Sequence, residues 1–223
     1  MRGKHDKKQA GYSLIELLIT MTIMLLMMGV VSMLLSRAMG VRSRESRKTD
    51  ALTSAHAVLN VMSREIANSG FGLYSDPVNR VPNNGIVIAD SDAHRIRVRA
   101  NLTNTRSYSD PTQPATTDPG EDITYFLDGA TSSIVRYDAN AVAPTPKTSI
   151  VVNRISSVTF DYVNYTAGSS TTTTTSVPTA TTGRVIITIV VQLEPVVGQP
   201  NPGTVTFTSD VSLRNSNYML QQY

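Results

Sequence analysis

The sequence predicts an α+β protein, one long N-terminal helix followed by a head of antiparallel strands. Three observations carry this. Residues 17–36 (LLITMTIMLLMMGVVSMLLS) are apolar and free of charge. Residues 50–67 (DALTSAHAVLNVMSREIA) repeat apolar side chains at helical spacing. Beyond Gly72 the apolar period changes from about 3.6 to 2, and a helix followed by a run of strands is the α+β pattern.

The apolar run comes first. About twenty such residues at ~1.5 Å each match a hydrocarbon core of roughly 30 Å. A secretory signal peptide would have an apolar stretch of only about 7–15 residues and a small-residue cleavage site after it. Here the stretch is longer, and Arg37-Ala38-Met39-Gly40 offers no such site. No proline precedes Pro77, so nothing breaks a helix begun at Tyr12. Its second half places Leu52, Ala55, Leu59, Met62 and Ile66 on one face, at alternating steps of three and four. Asn68-Ser69-Gly70-Phe71-Gly72 ends it. A helix of that extent would be on the order of 85 Å long, with a membrane-length half over residues 12–36 and an amphipathic half over 37–69.

The head, residues 70–223, follows. Candidate strands are 85–89, 95–100, 123–127, 134–137, 157–165, 185–193 and 205–213, with the clearest alternation in Val185/Ile187/Ile189/Val191/Leu193. Asn83-Asn84-Gly85, Asp128-Gly129 and the Pro/Gly-rich 194–203 supply turns. Residues 168–183 (GSSTTTTTSVPTATTG) are expected to form an exposed loop between two antiparallel strands, and such a tract is also a candidate for O-glycosylation.

Charge sharpens the picture. The chain of 223 residues has 20 Lys and Arg against 17 Asp and Glu, net +3. Arg2, Lys4, Lys7 and Lys8 against Asp6 place that whole excess in residues 1–11. Zero cysteine excludes disulfide scaffolds, thiol nucleophiles and cysteine-ligated metals.

That basic leader ends in Gly11, followed by Tyr12-Ser13-Leu14-Ile15-Glu16-Leu17-Leu18-Ile19. The junction resembles the type IV prepilin signature, in which a leader ending in glycine precedes an aromatic residue and a Thr/Ser-Leu-Ile-Glu-Leu block. Tyr12 stands where that family usually has Phe. The resemblance implies a pilin fold, with the long helix packed against an antiparallel sheet. It implies cleavage between Gly11 and Tyr12 by a prepilin peptidase, so that residues 1–11 are discarded, and methylation of the new amino terminus on Tyr12. Glu16 would pair with the amino terminus of an adjacent subunit and set assembly register; the plainer alternative is a boundary residue at headgroup depth.

The resemblance further implies a single-pass inner-membrane protein with a cytoplasmic N-terminus, later part of an extracellular or periplasmic filament. Lys and Arg counts on the two flanks of the span nearly tie, so that orientation rests on the signature. Residues 57–72, 122–137, 155–162 and 211–215 resemble PilW-type minor pilins and J-type minor pseudopilins. The implied role is a minor pilin that helps prime or cap a filament. The alternatives are a minor pseudopilin of type II secretion and a tip module for adhesion or DNA uptake. Implied partners are other major and minor pilins or pseudopilins, the prepilin peptidase, the assembly platform and, before assembly, the membrane.

Enzymatic signals are missing: the sequence has no phosphate-binding loop, H-E-x-x-H or G-x-S-x-G. Neither catalysis nor a cofactor is expected, and of the histidines His56 reads as a packing or surface residue. No metal is expected either; Asp118, Glu121 and Asp122 are weak calcium candidates in a loop without calcium-loop spacing. Arg95, Arg97 and Arg99 share one face of a strand, either a solvent face or a stripe for a polyanion or partner. Nucleic acid is not expected, because residues 49–223 hold 11 basic against 14 acidic groups.

Overall fold

A computed structural model describes residues 13–76, 78–79, 81–105, 115–166, 171–193 and 203–220, without the side chains of 219 and 220. The chain divides into two units, residues 1–46 and 47–223. One helix, α1 (Leu14–Ala67), contributes to both.

In the first unit α1 begins immediately after Ser13, whose carbonyl accepts the Glu16 and Leu17 amides at 3.0 and 3.1 Å. The seventeen large apolar residues from Leu14 to Leu35 are each more than half exposed, from 53 to 82%. The hydroxyls of Thr20 and Thr22 donate back to the carbonyls of Leu17 and Leu18. Both threonine hydroxyls of the apolar run are thereby satisfied within the helix.

In the second unit α1 is one-sided. Ala55, Val58, Leu59, Met62, Ile66 and Ala67 are buried, while Leu52 at the start of the face is half-buried. The strands follow as β1 (Tyr74–Asp76), β2 (Val81–Pro82), β3 (Arg95–Arg99), β4 (Asp122–Asp128), β5 (Ser133–Asp138), β6 (Thr148–Asn153), β7 (Ile155–Tyr165), β8 (Thr172–Thr175), β9 (Thr182–Gln192) and β10 (Thr204–Ser212), then a final turn of helix, α2 (Asn217–Leu220). They form a β1-β2 ribbon and two antiparallel four-stranded sheets, in the orders β3-β4-β5-β6 and β10-β9-β7-β8. The expected α+β architecture is present.

The alternating faces of β7 and β9 supply the densest packing. Val158, Phe160 and Tyr162 lie in one core with Val185, Ile187 and Ile189, all at 0% exposure, and the buried face of α1 joins it. Cross-sheet bonds join the layers: the Phe160 amide donates to Ala93 O and the Tyr162 hydroxyl to Asp92 O.

The carbonyls that end a helix lack intrahelical partners. Here the chain's own distal segment supplies partners at that end. The Arg214 amide bonds Ala67 O at 3.1 Å, and the Asn215 side chain reaches Asn68 O and Ser69 O at 3.3 and 3.1 Å. Gly70 (φ 77°) then turns the chain against Gly85 (φ 75°). A Cβ on Gly85 would lie 2.0 Å from the Gly70 nitrogen, and one on Gly70 would lie 2.0 Å from Asn83 O. Only glycine fits at either position.

Three expectations need correction. Residues 85–89 are not a strand: only Ile86 bridges Val98, and Ile88–Asp90 is a 3₁₀ turn, closed where Ser91 Oγ accepts the Arg97 amide. The tract 168–183 is not loop throughout, because β-branched threonines let Thr172–Thr175 pair with β7 as an edge strand. The short β1, β2 and β6 were not expected; β6 reads as an unalternated apolar run.

The Gly70–Gly85 contact makes a quantitative prediction. Gly85→Ala combines a left-handed backbone with a steric overlap and should cost about 2–4 kcal/mol. For a chain of this size that lowers Tm by roughly 5–15 °C. Gly129→Ala, with nothing within 4 Å of the added carbon, is the control and should shift it by about 1–2 °C at most. Near-UV circular dichroism of the full chain in detergent measures both.

Candidate functional site

The candidate site at the N-terminus begins outside the described residues. Gly11 and Tyr12, the expected cleavage and methylation positions, and His5 all lie there. Glu16 is described. It occupies the first turn of α1, where the helix dipole favours a carboxylate, and its side chain is exposed with no partner among the described residues. It is followed by the uncovered apolar run, and α1 is long and apolar enough to cross a membrane.

A feature of this segment escaped the sequence reading although its signal is periodic. Gly29, Ser32, Ser36, Gly40 and Ser43 recur at steps of three and four and so share one helix face. Small residues at such spacing let a second helix backbone approach closely in lipid. Searching for apolar periodicity hides them, because every other face there is apolar too.

In the head, the three-arginine stripe resolves into internal pairs. Arg97 grips Asp122 in a bidentate fork, with Nε to Oδ1 and Nη2 to Oδ2 both at 2.7 Å, and its Nη1 reaches Asp90. Arg99 Nε adds a third bond to Asp122 at 2.9 Å. Strand register causes this, since β3 and β4 place Arg99 directly opposite Asp122. Burial acts to raise the Asp122 pKa, but the hydrogen bonds and charges of Arg97 and Arg99 outweigh it and hold the group below the ordinary carboxylate value. Arg95 lies over the Phe126 ring at 5.8 Å. The polyanion reading of the stripe therefore loses two of its three cations.

The calcium candidates are likewise engaged by protein donors. Glu121, buried, accepts the Thr103 amide and hydroxyl at 2.9 and 3.0 Å. Asp118 accepts the Thr103 and Thr105 hydroxyls, which lower its pKa in that order of importance. Asp122 faces the arginines. Among the described residues no group of three His, Asp or Glu side chains is placed to hold a metal ion. His56 is exposed, with its ring edge-on to Phe207 at 5.3 Å and 71°, and His94 Nδ1 lies 3.1 Å from Val158 O.

The sequence reading also missed Glu65, which ties α1 to the first sheet. The Tyr125 hydroxyl donates to its Oε2, and Arg136 Nε approaches Oε1 and Oε2 at 3.2 and 3.0 Å. Burial first, and then the Glu65 carboxylate, push the Tyr125 hydroxyl well above the ordinary tyrosine range, so it stays a donor. One charge flanked by buried apolar positions was the only available signal.

The Asp122 geometry carries a pH signature. A carboxylate whose folded pKa is depressed contributes stability above its unfolded value, near 3.8, and loses it as pH falls through the folded pKa. Asp122→Asn should lower stability at pH 7 by about 2–4 kcal/mol, since it leaves two guanidiniums without their counter-charge. The gap between the two proteins should narrow once pH drops below about 3.8, as thermal melts from pH 7 to 2.5 would read.

The comparisons with known proteins coincide with the N-terminal geometry. The family model described as "Prokaryotic N-terminal methylation motif" matches residues 6–32, a span that contains Gly11, Tyr12, Glu16 and most of the apolar run. No curated protein matches the chain, and no solved structure does. By that signature and the long apolar helix it opens, the chain is similar to the type IV pilins and pseudopilins at its N-terminus.

Proposed function

We propose that this chain is a minor pilin subunit of a type IV pilus-like filament and helps to prime or cap filament assembly. In this reading a prepilin peptidase cleaves between Gly11 and Tyr12, Tyr12 is N-methylated, and Glu16 sets register against the amino terminus of a neighbour. The subunit waits in the inner membrane with its N-terminus cytoplasmic and then passes into the filament. The single observation that carries this reading is the coincidence of the methylation motif with a helix whose apolar side chains from Leu14 to Leu35 are uncovered among the described residues. A helix apolar on every side exchanges lipid contact for contact with other helices at modest net cost, which suits reversible storage and extraction. The head, by contrast, offers internal ion pairs rather than a free basic surface, which favours a structural role over nucleic-acid binding.

Intact mass tests the processing. Expressed with a prepilin peptidase, the chain should lose residues 1–11 and gain one methyl group. An N-terminus at Met1, or a cut after Ser36, would overturn the proposal.

A second test addresses register. Because Glu16 is exposed and makes no hydrogen bond or ion pair among the described residues, Glu16→Ala should leave the melting temperature of the head within about 1 °C while reducing recovery in sheared filaments by roughly tenfold. Unchanged incorporation would remove the register role. Identifying the pilin-like proteins that co-purify distinguishes a pilus subunit from a secretion pseudopilin.

A further inference from the structure

The basic residues beyond the apolar run have no role in the reading so far. Arg37, Arg42 and Arg44 are exposed, and none makes a hydrogen bond or ion pair among the described residues. All three lie on α1 directly after residue 36, where the apolar run ends. With the hydrocarbon boundary at that point, Arg37 stands at the boundary and Arg42 and Arg44 stand about 8 and 11 Å beyond it along the helix. The headgroup layer on each side of a bilayer is about 5–8 Å thick, and a long guanidinium side chain reaches back several ångströms further. All three therefore come within reach of lipid phosphates. Arg37 and Arg44 are seven residues apart and share a side, while Arg42 lies about 140° round the helix. Cations on both sides of one helix suit a surrounding ring of headgroups better than a single protein surface on one side.

We propose that Arg37, Arg42 and Arg44 form a collar that binds the headgroups of anionic phospholipids at the C-terminal end of the membrane span. The inference rests on the membrane-anchor part of the proposed function and adds the lipid class. Guanidinium forks pair with phosphate oxygens through two parallel hydrogen bonds. The collar also gives the charge distribution a purpose. Once residues 1–11 are removed, no Lys or Arg remains on the N-terminal flank of the span, so every basic side chain that flanks it is on the collar side. A collar held by anionic headgroups retains the processed subunit in the bilayer after the leader's own lysines have gone.

The test uses the purified processed chain, residues 12–223 from a host with a prepilin peptidase, in mild detergent with equal amounts of phosphatidylglycerol and phosphatidylcholine, bound lipid being counted by native mass spectrometry. Phosphatidylglycerol should exceed phosphatidylcholine by about tenfold or more at low salt, and the ratio should fall towards one at high salt. In R37Q/R42Q/R44Q it should fall to about one at any salt, with the melting temperature of the head unchanged. A wild-type ratio near one, or a preference that survives in the triple variant, overturns the collar. Carbonate extraction of membranes separates this from failure of the anchor. A chain released by carbonate sinks both readings, whereas one retained by carbonate but indifferent to headgroup sinks the collar alone. Should the triple variant fold poorly, the wild-type salt series decides by itself.

Discussion

The structure depends on an apolar surface left uncovered among the described residues. Seventeen large apolar residues stand more than half exposed between Leu14 and Leu35. At about 1 kcal/mol or more for each half-exposed side chain, keeping that surface in water costs on the order of tens of kcal/mol. That transfer free energy favours an apolar surrounding over water for this segment. Lipid and other apolar helices are the two surroundings that satisfy it. The chain accommodates both, because its threonine hydroxyls bond back to the helix and its one carboxylate in this stretch, Glu16, sits in the first turn.

In residues 47–67 the same helix obeys the opposite rule and buries one face against the head. What fixes it there is more than apolar contact. The Ala67 carbonyl that ends α1 bonds Arg214, and Asn215 reaches the next two carbonyls, close to the far end of the described chain, while Gly70 meets Gly85 backbone to backbone. Glu65 adds an ionic tie to the first sheet, and Ser63 bonds Ser209 of the second at 3.0 Å. Both sheets and the distal segment thus converge on the last turns of one helix. Loosening the helix end would break these bonds and leave their carbonyl groups to find other partners.

What was legible in the sequence follows from these causes. The helix, its apolar face and the long central strands were legible because period and length are local properties: Val185, Ile187 and Ile189 alternate strictly, and all are fully buried. The N-terminal signature was legible because its residues are contiguous. Residues 85–89 misled because Val87 bonds Arg97 as a strand would while Ile88 already turns away. The Ser/Thr tract misled because low complexity says nothing of an edge strand waiting to be paired. The fate of Arg97 and Arg99 was illegible, since it depends on the register that sets Asp122 opposite Arg99.

That register also changes the meaning of the protein's charge. A cation on a strand face is available to a partner only if no carboxylate is fixed beside it, and whether one is fixed depends on which strand is the neighbour. Asp122 is nearly buried and holds two guanidiniums, so those cations complete the head and are not offered outward. Arg37, Arg42 and Arg44, which follow the apolar run, make no ion pair among the described residues. Net charge is one number for the chain, but its physical effect divides by location. Within the sheet it is spent on folding; beside the apolar helix it remains free to act on the surroundings that the helix requires.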